Sequence, residues 1–236
     1  MSRSGATVAA AADAAGFVLA GGESSRMGRD KALLSFAGRP LLECALSTLR
    51  HAGLEPRIAG ARSALDAFAP VVADPEPGLG PLSGICAALA STSAPQAVFL
   101  PVDLPLLPPS LIAFLLHHAQ LAGSAVTVAS VSGFTQTFPA VLGRAALPAL
   151  QNELKSGRRG CFAAFRAAAS SLNRPISAVP VEYLAQWGGV VHPDGLPAAC
   201  WFQNVNTPED LRRAEARRGR FASAPEADSR NLNLAR

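Results

Sequence analysis

Three cations fall within six residues at Arg26, Arg29 and Lys31, directly after a glycine pair, Gly21-Gly22, and two hydroxyls, Ser24 and Ser25. Glycines let the chain turn and bring bare amides close to a ligand. Amides with cations behind them make an anion site, and a polyphosphate is its natural occupant. Neither of the two commonest phosphate loops is present. In a P-loop the second glycine precedes Lys and a hydroxyl, whereas Gly28 precedes Arg29 and Asp30. The dinucleotide fingerprint G-x-G-x-x-G is also missing. A second group able to do chemistry is Asp103, which ends the apolar run A-V-F-L-P-V from Ala97 to Val102. A carboxylate at the tip of a buried strand lies where open α/β sheets bind ligands. Its charge is costly there unless a metal or a cation pairs with it. As a purely structural alternative, Asp103 would cap the turn that follows.

The elements that must hold these groups follow from the hydrophobic pattern. Phe17 to Leu19 suit a short buried strand leading into the glycines. Leu41, Leu42, Ala45, Leu46 and Leu49 recur at helical spacing, and Gly53 closes that helix. Strands are expected at Pro56 to Gly60 and Val71 to Ala73, with a short helical connector between them from Ala61 to Phe68. Pro75 to Ile85 reads as a loop that opens a helix, with free amides near Gly80 and Ser83. Ala97 to Pro101 is the next strand, followed by a stiff proline turn and a helix with Leu111, Ile112, Leu115 and Leu116 on one side. This alternation predicts an α/β fold with a right-handed, mostly parallel sheet. Ala125 to Val131 and Gln136 to Leu142 form two strands joined by a turn at Gly133, an antiparallel addition, with Pro139 marking an edge or a bulge. Helices from Ala145 to Leu154 and Cys161 to Leu172 flank a basic, glycine-bounded loop. Strands close the pattern at Ile176 to Val181 and Trp201 to Val205. Residues 183–199 give no pattern, and His192 within them reads as structural or solvated. Thr207-Pro208-Glu209-Asp210 is a helix start.

The chain has 236 residues and is 49% apolar, enough for one large domain with a sizeable core. A net charge of +4, with no basic stripe interleaved with aromatics, excludes a nucleic-acid polymer as the expected partner. No apolar run is long enough to span a bilayer, so no membrane partner is expected. Cys44, Cys86, Cys161 and Cys200 form no C-x-x-C pair and read as reduced thiols of a cytoplasmic protein. Arg158 and Arg159 would lower the Cys161 pKa if they faced it.

The stretch L-A-G-G-E-S-S-R-M-G-R-D-K from Leu19 to Lys31 resembles the signature of the molybdenum cofactor guanylyltransferases, members of the nucleotidyltransferase group. G-P-L-S-G-I from Gly80, P-V-D-L-P from Pro101 and N-V-N-T-P-E-D-L from Asn204 are similar to further motifs of that family, in the same order. The resemblance spans roughly residues 16–217. It implies a Rossmann-like three-layer α/β/α nucleotidyltransferase fold and transfer of GMP from GTP to the terminal phosphate of molybdopterin, with pyrophosphate released and Mg²⁺ as the metal. It implies that Leu19, Ala20, Gly21 and Gly22 line the nucleotide and that Arg26 and Lys31 spread phosphate charge. Asp74 would contact the nucleotide, and Asp103 would hold both nucleotide and Mg²⁺. Asn204 and Asn206 would lie near metal and phosphates. Arg158 and Arg159 either bind the acceptor phosphate or sit in a solvated loop, and the residues alone leave both open.

The Ala-rich start reads as a flexible leader (1–14) and the polar, aperiodic end as a disordered tail (219–236), leaving one domain (15–218) that the resemblance makes a nucleotidyltransferase. The domain would have a nucleotide-binding half at 15–122 and an acceptor half at 123–218. One departure stands out: where the family has Asn after the second strand, this chain reads R-I-A-G-A-R from Arg57 to Arg62. The contact is then absent or supplied by backbone. A cytidylyl or sugar-phosphate transferase of the same fold, or a non-catalytic protein that hands on nucleotide or cofactor, are the other readings. A recipient molybdoenzyme or its chaperone is a further implied partner.

Overall fold

The computed structural model describes residues 14–21, 30–60, 65–76 and 78–222. Seven strands build the main sheet: β1 (Ala14–Leu19), β4 (Pro56–Ala59), β5 (Val71–Val72), β6 (Gln96–Pro101), β7 (Val126–Val131), β8 (Phe134–Gly143) and β9 (Ile176–Pro180). Their order across it is β5-β4-β1-β6-β8-β7-β9. Short β2 (Ser35–Phe36) and β3 (Arg39–Pro40) form a separate antiparallel pair. β1 runs parallel to both β4 and β6. β8 is antiparallel to β6 and β7, whereas β7 and β9 are parallel. The antiparallel addition is therefore a single strand inserted inside an otherwise parallel sheet.

Alternation along the strands divides the core into two layers. Val18, Ile58, Val98 and Leu100 face α1 (Leu41–His51), α3 (Pro109–Ala122), the short α6 (Val181–Gln186) and α7 (Pro208–Ala222). Phe17, Leu19, Ala59 and Phe99 face α2 (Pro81–Ala90), α4 (Leu147–Lys155) and α5 (Cys161–Ser171). All five apolar residues expected to point inward from α1 are buried. Phe17 and Phe99, register partners on adjacent strands, stack at 5.5 Å, a cross-strand pair of the kind that fixes register. The result is the expected three-layer α/β/α arrangement.

The β7–β8 turn places Ser132 and Gly133 at φ 51° and 79°. Two successive left-handed residues are what a tight hairpin following the strand twist requires. Pro139 lies in the interior strand β8, and the β7–β8 register shifts between Val128 and Ser130. Of the two alternatives for that proline, the bulge is the one that forms.

Three expectations need correction. Trp201 to Val205 is not a strand. The Trp201 ring is buried and its indole nitrogen donates to the Leu196 carbonyl at 2.8 Å. That burial accounts for an apolar signal that resembles a strand. α7 continues to Ala222, so Gly219 lies within a helix. Ala14 already pairs with Gln96 and belongs to β1 rather than to a leader. The expected connector from Ala61 to Phe68 falls partly on residues 61–64, outside the described ones, and its remainder is a turn.

Candidate active site

β1 and β6 are parallel neighbours that end side by side at Leu19 and Pro101. The two groups singled out for chemistry leave the sheet at this edge. Lys31 Nζ donates to Asp103 Oδ2 at 3.0 Å and to Asn206 Oδ1 at 2.7 Å. Three segments separated by 72 and 103 positions thus meet at one ammonium group. The Lys31 and Asp103 side chains are 19% and 24% exposed. They are sheltered enough for their charges to matter to each other, yet open to a ligand.

Each member is held by local structure. Asp30 Oδ1 accepts the Ala32 amide at 3.0 Å and caps the helical turn that begins at Lys31. The Val102 amide donates to the Leu19 carbonyl at 3.3 Å, joining the two strand ends just before Asp103. The Val205 amide donates to the Asp103 carbonyl at 2.9 Å, bringing the Asn204–Asn206 segment alongside. Thr207 and Asp210 form a reciprocal capping box at the start of α7. The Asp210 amide donates to Thr207 Oγ1 at 3.1 Å, and Asp210 Oδ2 accepts the Thr207 and Asn206 amides at 2.9 and 3.1 Å. The Thr207 hydroxyl also donates to this carboxylate and, with the Asn206 amide, holds the Asp210 pKa below its ordinary value. The motif T-P-E-D is therefore a helix cap, and the same cap fixes the backbone from which Asn206 reaches Lys31.

These groups line a cleft of about 830 Å³. Leu19, Ala20 and Gly21 form one wall, and Asp103, Asn204 and Asn206 lie among its other lining residues. Gly22 and Arg26 lie outside the described residues. Asp74 is not in this wall. Its Oδ1 accepts the Glu76 amide at 2.9 Å and the Ser83 hydroxyl, tying the β5 loop to the first turn of α2. Arg158 and Arg159 do not line the cleft either. Arg158 forms a two-pronged pair with Glu153, at 2.6 and 2.7 Å, which holds the Glu153 carboxyl below its usual range. Cys161, just beyond, has its thiol pushed up to about 12 by burial, opposite to the shift those arginines would cause.

The cleft also contains residues that sequence reasoning passed over. Gln136, Thr137 and Phe138 of β8 and Phe202 line it. In the sequence they read only as strand positions, and the exposure of Gln136, Thr137 and Phe138 to the cleft depends on β8 being inserted next to β6. The one available signal was the polar pair Gln136-Thr137 at the start of an apolar strand.

Among the described residues no three His, Cys, Asp or Glu side chains gather into a metal site. Asp103 Oδ2 is bonded to Lys31, and no hydrogen bond from the described residues reaches Oδ1. A hard cation can bind one protein carboxylate when phosphates and water complete its shell, which is the usual arrangement for Mg²⁺. The donor set fits such an ion with Asp103 as its carboxylate ligand. Residues 16–172 match the family model described as the MobA-like NTP transferase domain.

The molybdenum cofactor guanylyltransferase of Xanthomonas euvesicatoria pv. vesicatoria is 45% identical over 106 residues, which cover 44% of this chain and 54% of that protein. The probable molybdenum cofactor guanylyltransferase of Haloferax mediterranei is 32% identical over 86% of this chain and 94% of its own length. Among solved structures, molybdopterin-guanine dinucleotide biosynthesis protein A from Archaeoglobus fulgidus superposes with a TM-score of 0.68. The match is 23% identical, covers 85% of this chain and 96% of that one, and speaks for the fold alone. On the family match and the Haloferax relative together, the chain belongs to the MobA-like NTP transferase family.

Proposed function

We propose that this chain transfers GMP from GTP to the terminal phosphate of molybdopterin, releasing pyrophosphate. The observation that carries the reading is the 3.0 Å approach of Lys31 to Asp103 at the mouth of a cleft sized for a nucleotide. The relatives from Xanthomonas and Haloferax, both named as molybdenum cofactor guanylyltransferases, support the guanylyl and molybdenum cofactor part of it.

The mechanism follows from charge. An oxygen of the acceptor phosphate attacks the α-phosphorus of GTP, and the bond from that phosphorus to the bridging β-oxygen breaks. The acceptor is already largely ionised at neutral pH, so no general base is required. The obstacle is bringing one anion onto another, and catalysis consists of cancelling charge and holding the two in line. Lys31 neutralises phosphate charge from the glycine side of the cleft. Asn206 holds the ammonium in place. Gly21 lines the cleft without a side chain that would exclude the nucleotide, and Ala20 beside it, its amide bonded to the Ala59 carbonyl, adds only a methyl group. Asp103 would hold Mg²⁺, and that ion when bound neutralises triphosphate oxygens and the departing pyrophosphate. Arg26 adds positive charge by the same logic. In this reading the reaction runs in the cytoplasm, on small phosphorylated substrates.

The test is pyrophosphate release from GTP, CTP, ATP and UTP, each with and without molybdopterin, with Mg²⁺ present. The reading expects release with GTP only, and only when molybdopterin is added. Release with CTP would make the chain a cytidylyltransferase. Release with a sugar phosphate as acceptor would point to a different transferase of this fold. Nucleotide binding without release would make it a carrier.

A further inference from the structure

The cleft wall that begins at Gly21 rests on a contact between three glycine backbones that no motif above includes as a whole. A Cβ built on Gly21 would meet the Gly60 carbonyl oxygen at 2.5 Å and its carbon at 3.1 Å. A Cβ on Gly84 would meet the Gly60 Cα at 3.2 Å and its nitrogen at 3.4 Å. Gly60 itself follows β4 and has φ +73°, a left-handed conformation that side chains rarely adopt. Its amide donates to the Val72 carbonyl at 3.2 Å, and the Ala20 amide donates to the Ala59 carbonyl at 3.2 Å. The end of β1, the end of β4 and the first turn of α2 thus lie backbone against backbone.

Neither Gly60 nor Gly84 lines the cleft, but Gly21 does, and so does Pro81 at the start of α2. Packed interiors do not yield smoothly, so a displacement at one of these contacts is passed to the next. Gly60 also falls in the R-I-A-G-A-R segment, where the sequence lacks the family's asparagine.

We propose that Gly60, clamped between Gly21 and Gly84, is a positioning residue that sets where the Gly21 backbone and the start of α2 meet the nucleotide. This rests on reading the cleft as the nucleotide site. Gly21 itself lines the cleft, so substituting Gly84 is the sharpest perturbation that leaves the lining unchanged; its added methyl meets backbone rather than a mobile side chain. Gly60→Ala has ordinary contacts, at 3.6 Å and beyond, but a conformation that alanine resists. Gly60→Asn changes the residue while tolerating that conformation better than alanine.

The control is Gly16→Ala on β1, the strand that leads to Gly21. Its methyl would meet the Leu54 Cβ at 3.1 Å, inside the core and away from the cleft. Calorimetric titration of GTP with Mg²⁺, without acceptor, gives Kd for each variant, and thermal melts give stability.

The expected result is a rise in Kd of about tenfold for Gly84→Ala and less for Gly60→Ala, with partial recovery in Gly60→Asn. Gly16→Ala should lower Tm while leaving Kd near the wild-type value. If Gly84→Ala does not fold, the contrast between Gly60→Ala and Gly60→Asn decides alone. Wild-type Kd in a folded Gly84→Ala, or an equal rise in Gly16→Ala, overturns the proposal. So does equal binding by Gly60→Ala, Gly60→Asn and wild type. A wild-type protein that binds no GTP overturns the reading beneath it instead.

Discussion

Two ion pairs in this molecule look alike as chemistry and differ in everything else. Arg158 and Glu153 are five residues apart, and their two-pronged pair joins a helix end to the loop that follows it. Lys31 and Asp103 are 72 residues apart and meet through a single oxygen at the edge of a cleft. The first pair uses both carboxylate oxygens and the guanidinium fork, leaving little of either for a ligand. The second leaves Oδ1 of Asp103 free of hydrogen bonds from the described residues. Local pairs of this kind arise from chain proximity alone, whereas a distant pair exists only because the fold brings it together. A cation beside glycines is therefore weak evidence for a site until its carboxylate partner is known to come from elsewhere in the chain.

The sharpest way to break this comparison is to neutralise the distant pair. Asp103→Asn and Lys31→Ala should each lower turnover by about a hundredfold or more, with the fold retained by circular dichroism. Asn206→Ala removes one of the groups that hold the Lys31 ammonium. It should lower turnover by about tenfold, read in the same pyrophosphate assay. Arg158→Ala belongs to the other class: turnover should change by less than about threefold, the size expected where no substrate contact is lost. A large rise in KM for molybdopterin in Arg158→Ala or Arg159→Ala would move that loop into the acceptor site.

The smallest effects concern pH. Glu153, held low by Arg158, and Asp210, held low by the Thr207 hydroxyl, bind fewer protons folded than unfolded. Their contribution is present above the ordinary carboxylate range and is lost as pH falls through the lowered values. Burial lowers the pKa of His192, and its Nδ1 accepts the Asp194 amide at 3.0 Å, which requires a neutral ring. A lowered imidazole pKa has the same sign: stability is present above the ordinary value and declines as pH drops below it. Tm followed from pH 8 downward should therefore fall first in the imidazole range and again in the carboxylate range. Arg158→Ala should soften only the second step.

The sequence made the nucleotide half legible because its elements are local and periodic. The α1 stripe, the apolar β6 run and the cap at Thr207 are all set within a few residues. Asp103 could be placed because parallel strand tips have a general meaning. The acceptor side was harder to read. β8 enters the sheet between β6 and β7, and that non-local pairing decides that Gln136, Thr137 and Phe138 face the cleft. Trp201 misled for a related reason, since a buried aromatic in a loop carries the same apolar signal as a strand. Arg158 was ambiguous until Glu153 appeared at the end of the preceding helix, in contact with it.

The account depends on Lys31 and Asp103 serving one triphosphate. The most direct measurement is single-turnover pyrophosphate release from GTP and molybdopterin across a Mg²⁺ titration, in wild type and Asp103→Asn. The account predicts saturable Mg²⁺ dependence in the wild type. The variant should be at least about a hundredfold slower and need far more Mg²⁺. A variant with the wild-type rate and the wild-type Mg²⁺ midpoint would contradict it.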